Sequence, residues 1–406
     1  MIIGSAGVYS FAADYSSELG LKIYAEYLYA KSFENTVTIA VIDSGVANIE
    51  RLNERIIAGY DFQDNDADPS NDISSDSHGT FIASVIAAAT EDLPINIMPV
   101  RILENKDVSV DNLVKGIKYA VDNGADILNI SIGGEVTDCS EIDEAIAYAD
   151  EHGVTVVVAA GNAKKEIITY CPAHNESVIT VSSITGSKIR ASYSNYGEAV
   201  DCCAPGDNVD GYNANGEKAA ANGTSFSAAY ISAGAAMIKL EHPEYNAQEI
   251  QQVIKSVCID LGEEGKDKYY GYGLPDFKRL IPSSVNIKNY SETITVPYKS
   301  TVILYAETNL PFEPDIKWYV NGEYYMSGNR FDIENIADDI SVYFEATDES
   351  GYALRSATET VKVSSGFFAR LIAFFKQIFG LLPVISQSVF SADFTVSLIE
   401  GNGCCN

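Results

Sequence analysis

Between residues 36 and 280 the chain alternates short, uninterrupted runs of apolar, largely β-branched residues with longer stretches rich in alanine and other small residues. The strand-like runs are 36–43, 95–101, 126–131, 155–160 and 178–182. The helix-like stretches are 80–89, 110–122, 140–151, 225–240 and 247–258. A strand with one wet face alternates apolar and polar residues, whereas a continuous apolar run must be covered on both faces. Helices falling between such runs supply the cover. The pattern therefore predicts an α/β domain over residues 15–281, a parallel sheet with helices on both faces. In such sheets the chemistry gathers beyond the carboxyl ends of the strands.

Outside that stretch the periodicity changes. Period-two segments appear at 292–296, 301–306, 316–319, 341–346 and 358–363, broken by turns such as Asn321-Gly322, and the sole tryptophan, Trp318, lies within one of them. These predict a small all-β sandwich over 282–365. Asp339 to Tyr343 resembles the aspartate-to-tyrosine corner of immunoglobulin-like sandwiches, although no cysteine lies between 258 and 404 to make their intersheet disulfide.

In 366–390, paired apolar residues from Phe367 to Leu382 recur every three to four positions with Arg370 and Lys376 between them. That spacing predicts an amphipathic helix over 366–382, roughly 25 Å long. It would lie in a membrane interface or dock on a domain of its own chain. Residues 391–406 form a tail with no reading. At the other end, 1–14 reads either as the remnant of an export signal, with small residues at Ser10 and Ala12, or as a segment packed on the domain.

Charge excludes some partners. With 57 acidic against 27 basic residues the formal net charge is −30, a field that repels phosphate backbones, so nucleic acid is not expected. No run of about 18 uncharged apolar residues exists to make a clean membrane span. The seven cysteines include the adjacent pairs Cys202-Cys203 and Cys404-Cys405. They match neither a disulfide framework nor a zinc spacing, and they leave the compartment open.

Four short segments carry chemistry. The run 36–43 ends in Asp43, followed by Ser44-Gly45. Asp76-Ser-His78-Gly79-Thr80 opens an apolar helix, with Thr80 able to cap it. Asn222-Gly223-Thr224-Ser225 opens a helix of small residues. The run 155–160 ends in Gly161-Asn162. Each alone has a bland explanation: a turn, a satisfied structural imidazole, a helix cap. Together they set an acid, a base and a hydroxyl at element ends on the side where a parallel sheet assembles sites, in an order known for serine triads. A carboxamide N–H such as that of Asn162 can stabilise the oxyanion of acyl transfer, a single donor being worth about 3–4 kcal/mol.

On these residues the chain resembles the subtilases, the subtilisin-like serine peptidases. Asp126-Ile-Leu-Asn-Ile-Ser131-Ile-Gly-Gly134, Ala204-Pro-Gly206 and Gly271-Tyr-Gly273 add to the resemblance. It implies a subtilisin-like fold, with Asp43, His78 and Ser225 as the catalytic triad. Asn162 and the Ser225 amide would form the oxyanion hole. Ser131, Ile132, Gly133 and Gly134, with Gly161, would bind an extended polypeptide substrate and wall its main specificity pocket. The chain departs from the family where Phe226-Ser-Ala-Ala229 follows the serine and a proline is missing. That departure predicts altered efficiency or specificity. The loop after Leu103 also lacks glycines often found there.

No cofactor is expected for catalysis. The loop 61–76 carries Asp61, Asp64, Asp66, Asp68, Asp72 and Asp76 without Lys or Arg. It does not match an EF-hand, since Pro69 and Ser75 stand where glycine and glutamate belong. The family suggests structural calcium here; the other reading is a solvated loop that shapes the potential near His78. The expectation is a monomeric, exported or surface-associated serine endopeptidase with an appended sandwich. A catalytically silent surface binding protein and a cytoplasmic processing peptidase are the alternatives.

Overall fold

A computed structural model describes residues 14–70, 77–104, 107–282, 284–288, 293–310, 313–347 and 353–364. Residues 1–13, the expected amphipathic helix and the tail lie outside them. The chain divides into two units, Met1–Ile281 and Pro282–Asn406.

The first unit is built on seven strands: β1 (Val37–Asp43), β2 (Tyr60–Asp61), β3 (Ile95–Arg101), β4 (Ile127–Ile130), β5 (Thr155–Ala159), β6 (Ile179–Ile184) and β7 (Cys202–Pro205). Their order across the sheet is β7-β6-β5-β4-β1-β3-β2, with every neighbouring pair parallel. All seven residues of β1 are buried, as its unbroken apolar run requires. One apolar core lies between the sheet and α1 (Leu21–Tyr29), α2 (His78–Ala89), α5 (Thr224–Glu241) and α6 (Ala247–Ser256). A second lies on the other side, under α3 (Val110–Asp122) and α4 (Ser140–Glu151). Both faces are therefore covered, and the subtilisin-like arrangement expected from sequence is present.

Helix α5 is buried nearly all round, and its small residues Ala228, Ala229, Ala233, Ala235 and Ala236 are almost inaccessible to water. Small side chains allow close approach, so this helix packs directly against the strands that carry the site. Strand β1 has β4 on one side and β3 on the other, so the winding direction changes beside it. Crevices at carboxyl ends form at such a switch.

Among the elements not anticipated are β2, β7 and α1. β2 is only two residues long. β7 holds the Cys202-Cys203 pair and ends in Pro205, which an edge position tolerates. α1 buries Leu21, Tyr24, Ala25 and Leu28 at helical spacing but lies ahead of the alternating region. The cysteines also behave differently from expectation: Cys139 and Cys171, 32 residues apart, are disulfide-bonded with Cα atoms 6.1 Å apart. Cys202, Cys203 and Cys258 are free. Burial pushes the first two thiols well up and Cys258 to about 12, which disfavours their thiolate forms.

The described part of the second unit is all β. One sheet contains Ser284–Ile287, Ser300–Asn309 and Arg330–Ile336; the other runs Thr293–Pro297, Glu359–Ser364, Ile340–Thr347, Asp315–Val320, Glu323–Ser327. Leu304 and Phe331 from the first sheet meet Trp318 and Phe344 from the second in one apolar core. The Trp318 indole N–H donates to the Gly328 carbonyl at 2.8 Å, which satisfies its polar atom inside that core. In the corner-like segment, Asp339 accepts from the Val363 amide at 2.7 Å, and Tyr343 stacks on Tyr319 with centroids 4.8 Å apart. Among the described residues, no helix is long and apolar enough to cross a membrane.

Candidate active site

Asp43 is the last residue of β1 and fully buried. A buried carboxylate is costly unless its oxygens are bonded. Oδ1 accepts the Ser44 amide at 2.8 Å, and the two oxygens lie 2.8 and 3.0 Å from His78 Nδ1. His78 is the first residue of α2 and keeps 29% of its side chain exposed. The helix start comes this close because Gly79 has no side chain. A Cβ there would lie 2.1 Å from the Gly45 carbonyl oxygen and 3.2 Å from Asp43 Cβ. The Ser44 hydroxyl accepts the Gly79 amide at 3.0 Å, tying strand end to helix start. Thr80 accepts the Ala47 amide at 2.9 Å, so its hydroxyl fastens the loop after β1.

Ser225 is the second residue of α5 and only 4% exposed. Its hydroxyl donates to the Ser131 carbonyl at 3.2 Å, and the Ser131 hydroxyl donates back to the Ser225 carbonyl at 3.3 Å. Asn129 donates to Ser131 Oγ at 2.9 Å and accepts from Ser232 at 3.0 Å. A buried polar chain thus sets α5 in register against the end of β4. Phe226 is accommodated without disorder of this register. Its ring is buried, 4.8 Å from Phe81 and 6.0 Å from His78 by centroid. This contact places the start of α5 beside the imidazole.

Asn162 follows β5. Its carbonyl oxygen accepts the Thr224 amide at 2.9 Å and the Thr224 hydroxyl at 3.1 Å. With the oxygen occupied, the amide nitrogen faces Gly223, 3.5 Å from where a Cβ would stand. The Thr224 hydroxyl also accepts the Gly161 amide at 3.0 Å. Gly161 has φ +99°, and a Cβ there would meet Asn195 Nδ2 at 2.5 Å. Asn195 is fully buried, donates to the Ala160 carbonyl at 2.9 Å and accepts the Ala163 and Lys165 amides at 2.9 and 3.0 Å.

Sequence reading did not single out Thr224 or Asn195 as functional. Thr224 could have been noticed as a hydroxyl adjoining Ser225. Asn195 carries no local signal, being 33 residues beyond Asn162. Ser131 is buried, Ile132 and Gly134 are half-buried and Gly133 is exposed. Gly134 and Glu135 pair antiparallel with Cys171 and Tyr170. All the expected site residues thus lie at the carboxyl ends of β1, β4 and β5 or at the starts of α2 and α5.

The acidic loop is organised by protein groups. Arg101, at the end of β3 and 3% exposed, reaches Asp61 at 2.5 Å and Asp64 at 2.7 Å. The second Asp61 oxygen accepts the Gln63 and Asp64 amides, while Asp66 and Asp68 accept the Asp68 and Ser70 amides. A guanidinium supplies the positive charge between Asp61 and Asp64. Asp72 and Asp76 lie outside the described residues. Among the described residues, the one cluster of three ligand atoms within 4.8 Å is Cys139, Cys171 and His174. With the two sulfurs bonded to each other, it offers a single imidazole.

Residues 34–273 match the model of the subtilase family. The chain is 32% identical over 235 residues to alkaline serine exoprotease A of Vibrio alginolyticus, covering 56% of this chain and 43% of that protein. It is 34% identical over 247 residues to a thermophilic serine proteinase of Bacillus sp. strain AK1, covering 58% and 59%. Thermitase of Thermoactinomyces vulgaris is also 34% identical, over 237 residues, covering 56% and 82%. The chain therefore spans about half the length of the first two curated relatives. The crystal structure of a cold adapted subtilisin-like serine proteinase superposes with a TM-score of 0.54 at 29% identity, covering 59% of this chain and 88% of that one.

Proposed function

The chain belongs to the subtilase family, and from that membership we propose that it is a serine endopeptidase acting through an acyl-enzyme. The observation that carries this reading is the buried Asp43 carboxylate held on both oxygens against His78 Nδ1, with the start of α5 packed beside the same imidazole. With Nδ1 committed to Asp43, Nε2 takes the proton as Ser225 Oγ turns from the Ser131 carbonyl to attack the scissile carbonyl carbon. The imidazolium then returns that proton to the leaving amine, and water hydrolyses the ester by the reverse route. Asp43 holds the tautomer and offsets the transient charge. The Asn162 amide and the Ser225 backbone N–H receive the oxyanion. Because only neutral imidazole can accept the proton, hydrolysis falls on acidification.

The backbone of Ser131–Gly134 would pair with an extended substrate, and Gly161 lets the opposite segment approach it. Main-chain pairing tolerates many sequences, which favours an endopeptidase. The enzyme is exported or surface-associated, a reading favoured by the disulfide, which persists in oxidising compartments. The second unit is an immunoglobulin-like sandwich that aids surface placement or substrate docking. Cleavage of a peptide library tests activity and pocket shape together; no cleavage by the intact protein would defeat the reading.

Asn162→Ala is expected to lower kcat by about 10²–10³ with little change in KM, because the lost donor acts on developing charge. Thr224→Val, which keeps the shape and the backbone N–H on the Asn162 oxygen but removes the hydroxyl donor, should lower kcat by a smaller factor. Steady-state kinetics on one peptide anilide checks both. An effect confined to KM would remove Asn162 from the oxyanion site.

A further inference from the structure

We propose that the Cys139–Cys171 bridge is a specificity-determining element, setting the position of the far part of the wall, Ile132–Gly134, and hence how the residue before the scissile bond is held. The inference rests on the peptidase reading. Two segments leave the carboxyl ends of the neighbouring strands β4 and β5. The first runs through Ser131–Gly134 to Cys139, the residue before α4; the second runs through Gly161 and Asn162 to Cys171. The bridge joins their far ends, so the closed loop of chain contains the oxyanion residue.

Beyond the bridge, Asn175 donates to Asp143 of α4 at 2.7 Å, but between Ser131–Cys139 and Gly161–Cys171 themselves the polar ties are few. Gly134 and Glu135 form only a two-residue ladder with Cys171 and Tyr170, and the Val136 amide reaches the Thr169 carbonyl at 3.4 Å. A ladder of that length is marginal by itself. The Glu135–Lys165 ion pair, at 2.7 Å, has both side chains about half exposed, so it contributes little.

The bridge sits directly behind the wall. Cys171 is 1% exposed, and a Cβ on Gly133 would stand 2.8 Å from the Cys171 carbonyl oxygen. A shift of the Cys171 backbone is therefore transmitted to Gly133 as a backbone contact, with no flexible side chain to absorb it. Ser225 is held at the near end of the wall, through Ser131, Asn129 and Ser232. Loss of the bridge thus moves the far part of the wall and leaves Ser225 in register.

The test compares wild type with Cys139→Ser/Cys171→Ser, using two peptide anilides that differ only in a large or small residue before the scissile bond. KM for the better substrate should rise about tenfold and the preference between the two should shrink, whereas kcat changes by a much smaller factor. Fluorophosphonate labelling of Ser225 should continue in both proteins. Should the variant fold poorly, wild type reduced with dithiothreitol below its melting temperature is measured in the same way, then reoxidised to recover the original KM. Unchanged KM and preference would overturn the proposal. So would a fall in kcat and labelling in proportion to folded protein, which marks the bridge as a fold staple only. Absence of labelling in wild type would instead defeat the peptidase reading itself.

Discussion

Ser225→Ala is expected to abolish fluorophosphonate labelling and to cut peptide hydrolysis by a factor on the order of 10⁶, while the protein stays folded. The size of the effect follows from the role. Without the hydroxyl there is no acyl-enzyme, and the imidazole has no proton to move. The fold should tolerate the change because alanine fits the same space at the start of α5. The substitution removes one hydrogen bond, from Ser225 Oγ to the Ser131 carbonyl. Such a bond contributes about 0.5–1.5 kcal/mol, a fraction of the 5–15 kcal/mol typical of a native domain. Circular dichroism and labelling on the same sample separate the two effects. A variant that labels like wild type would place the nucleophile elsewhere.

The second large effect is expected at Asp43. Asparagine there has the same shape and can keep the Ser44 amide on its carbonyl oxygen. Its NH₂ must then face His78 Nδ1, which has to become an acceptor. The ring proton moves to Nε2, and the nitrogen meant to receive the Ser225 proton already holds one. A wrong tautomer of this kind costs about 10⁴ in kcat with the geometry nearly intact. Loss of the carboxylate also leaves the imidazolium unbalanced in a site where Asp43 is fully buried. The measurement is kcat and KM for Asp43→Asn on a single substrate. A decline of less than tenfold in kcat would separate the Asp43–His78 pair from the chemistry.

Much of the first unit was legible because its strands are covered on both faces. Unbroken apolar runs such as Val37–Asp43 have no surface alternative, and the residues ending them must stand at the sheet's carboxyl edge. The elements that escaped notice lack that pressure. β2 is too short for a pattern, and β7 combines two cysteines with a proline at the sheet edge. In the second unit the five period-two segments contain strands, but Glu323–Ser327, on the sheet edge, is mostly exposed and has little burial to imprint on its sequence.

The amino-acid sequence by itself determined which groups end up at the sheet edge: Asp43, His78, Asn162 and Ser225 each stand where an element starts or stops, and local hydrophobic pattern decides that. It could not determine what orients them. The Asn162 amide is turned by Thr224, 62 residues away, and its loop is held by Asn195. Arg101 pairs with Asp61 and Asp64 of the acidic loop across 40 and 37 positions. Cys139 finds Cys171, 32 positions along the chain, across intervening helix and strand. Periodicity records what a residue buries, one segment at a time. Hydrogen bonds, ion pairs and disulfides depend on the separation of two atoms, and only packing several helices against the sheet brings such atoms within about 3 Å.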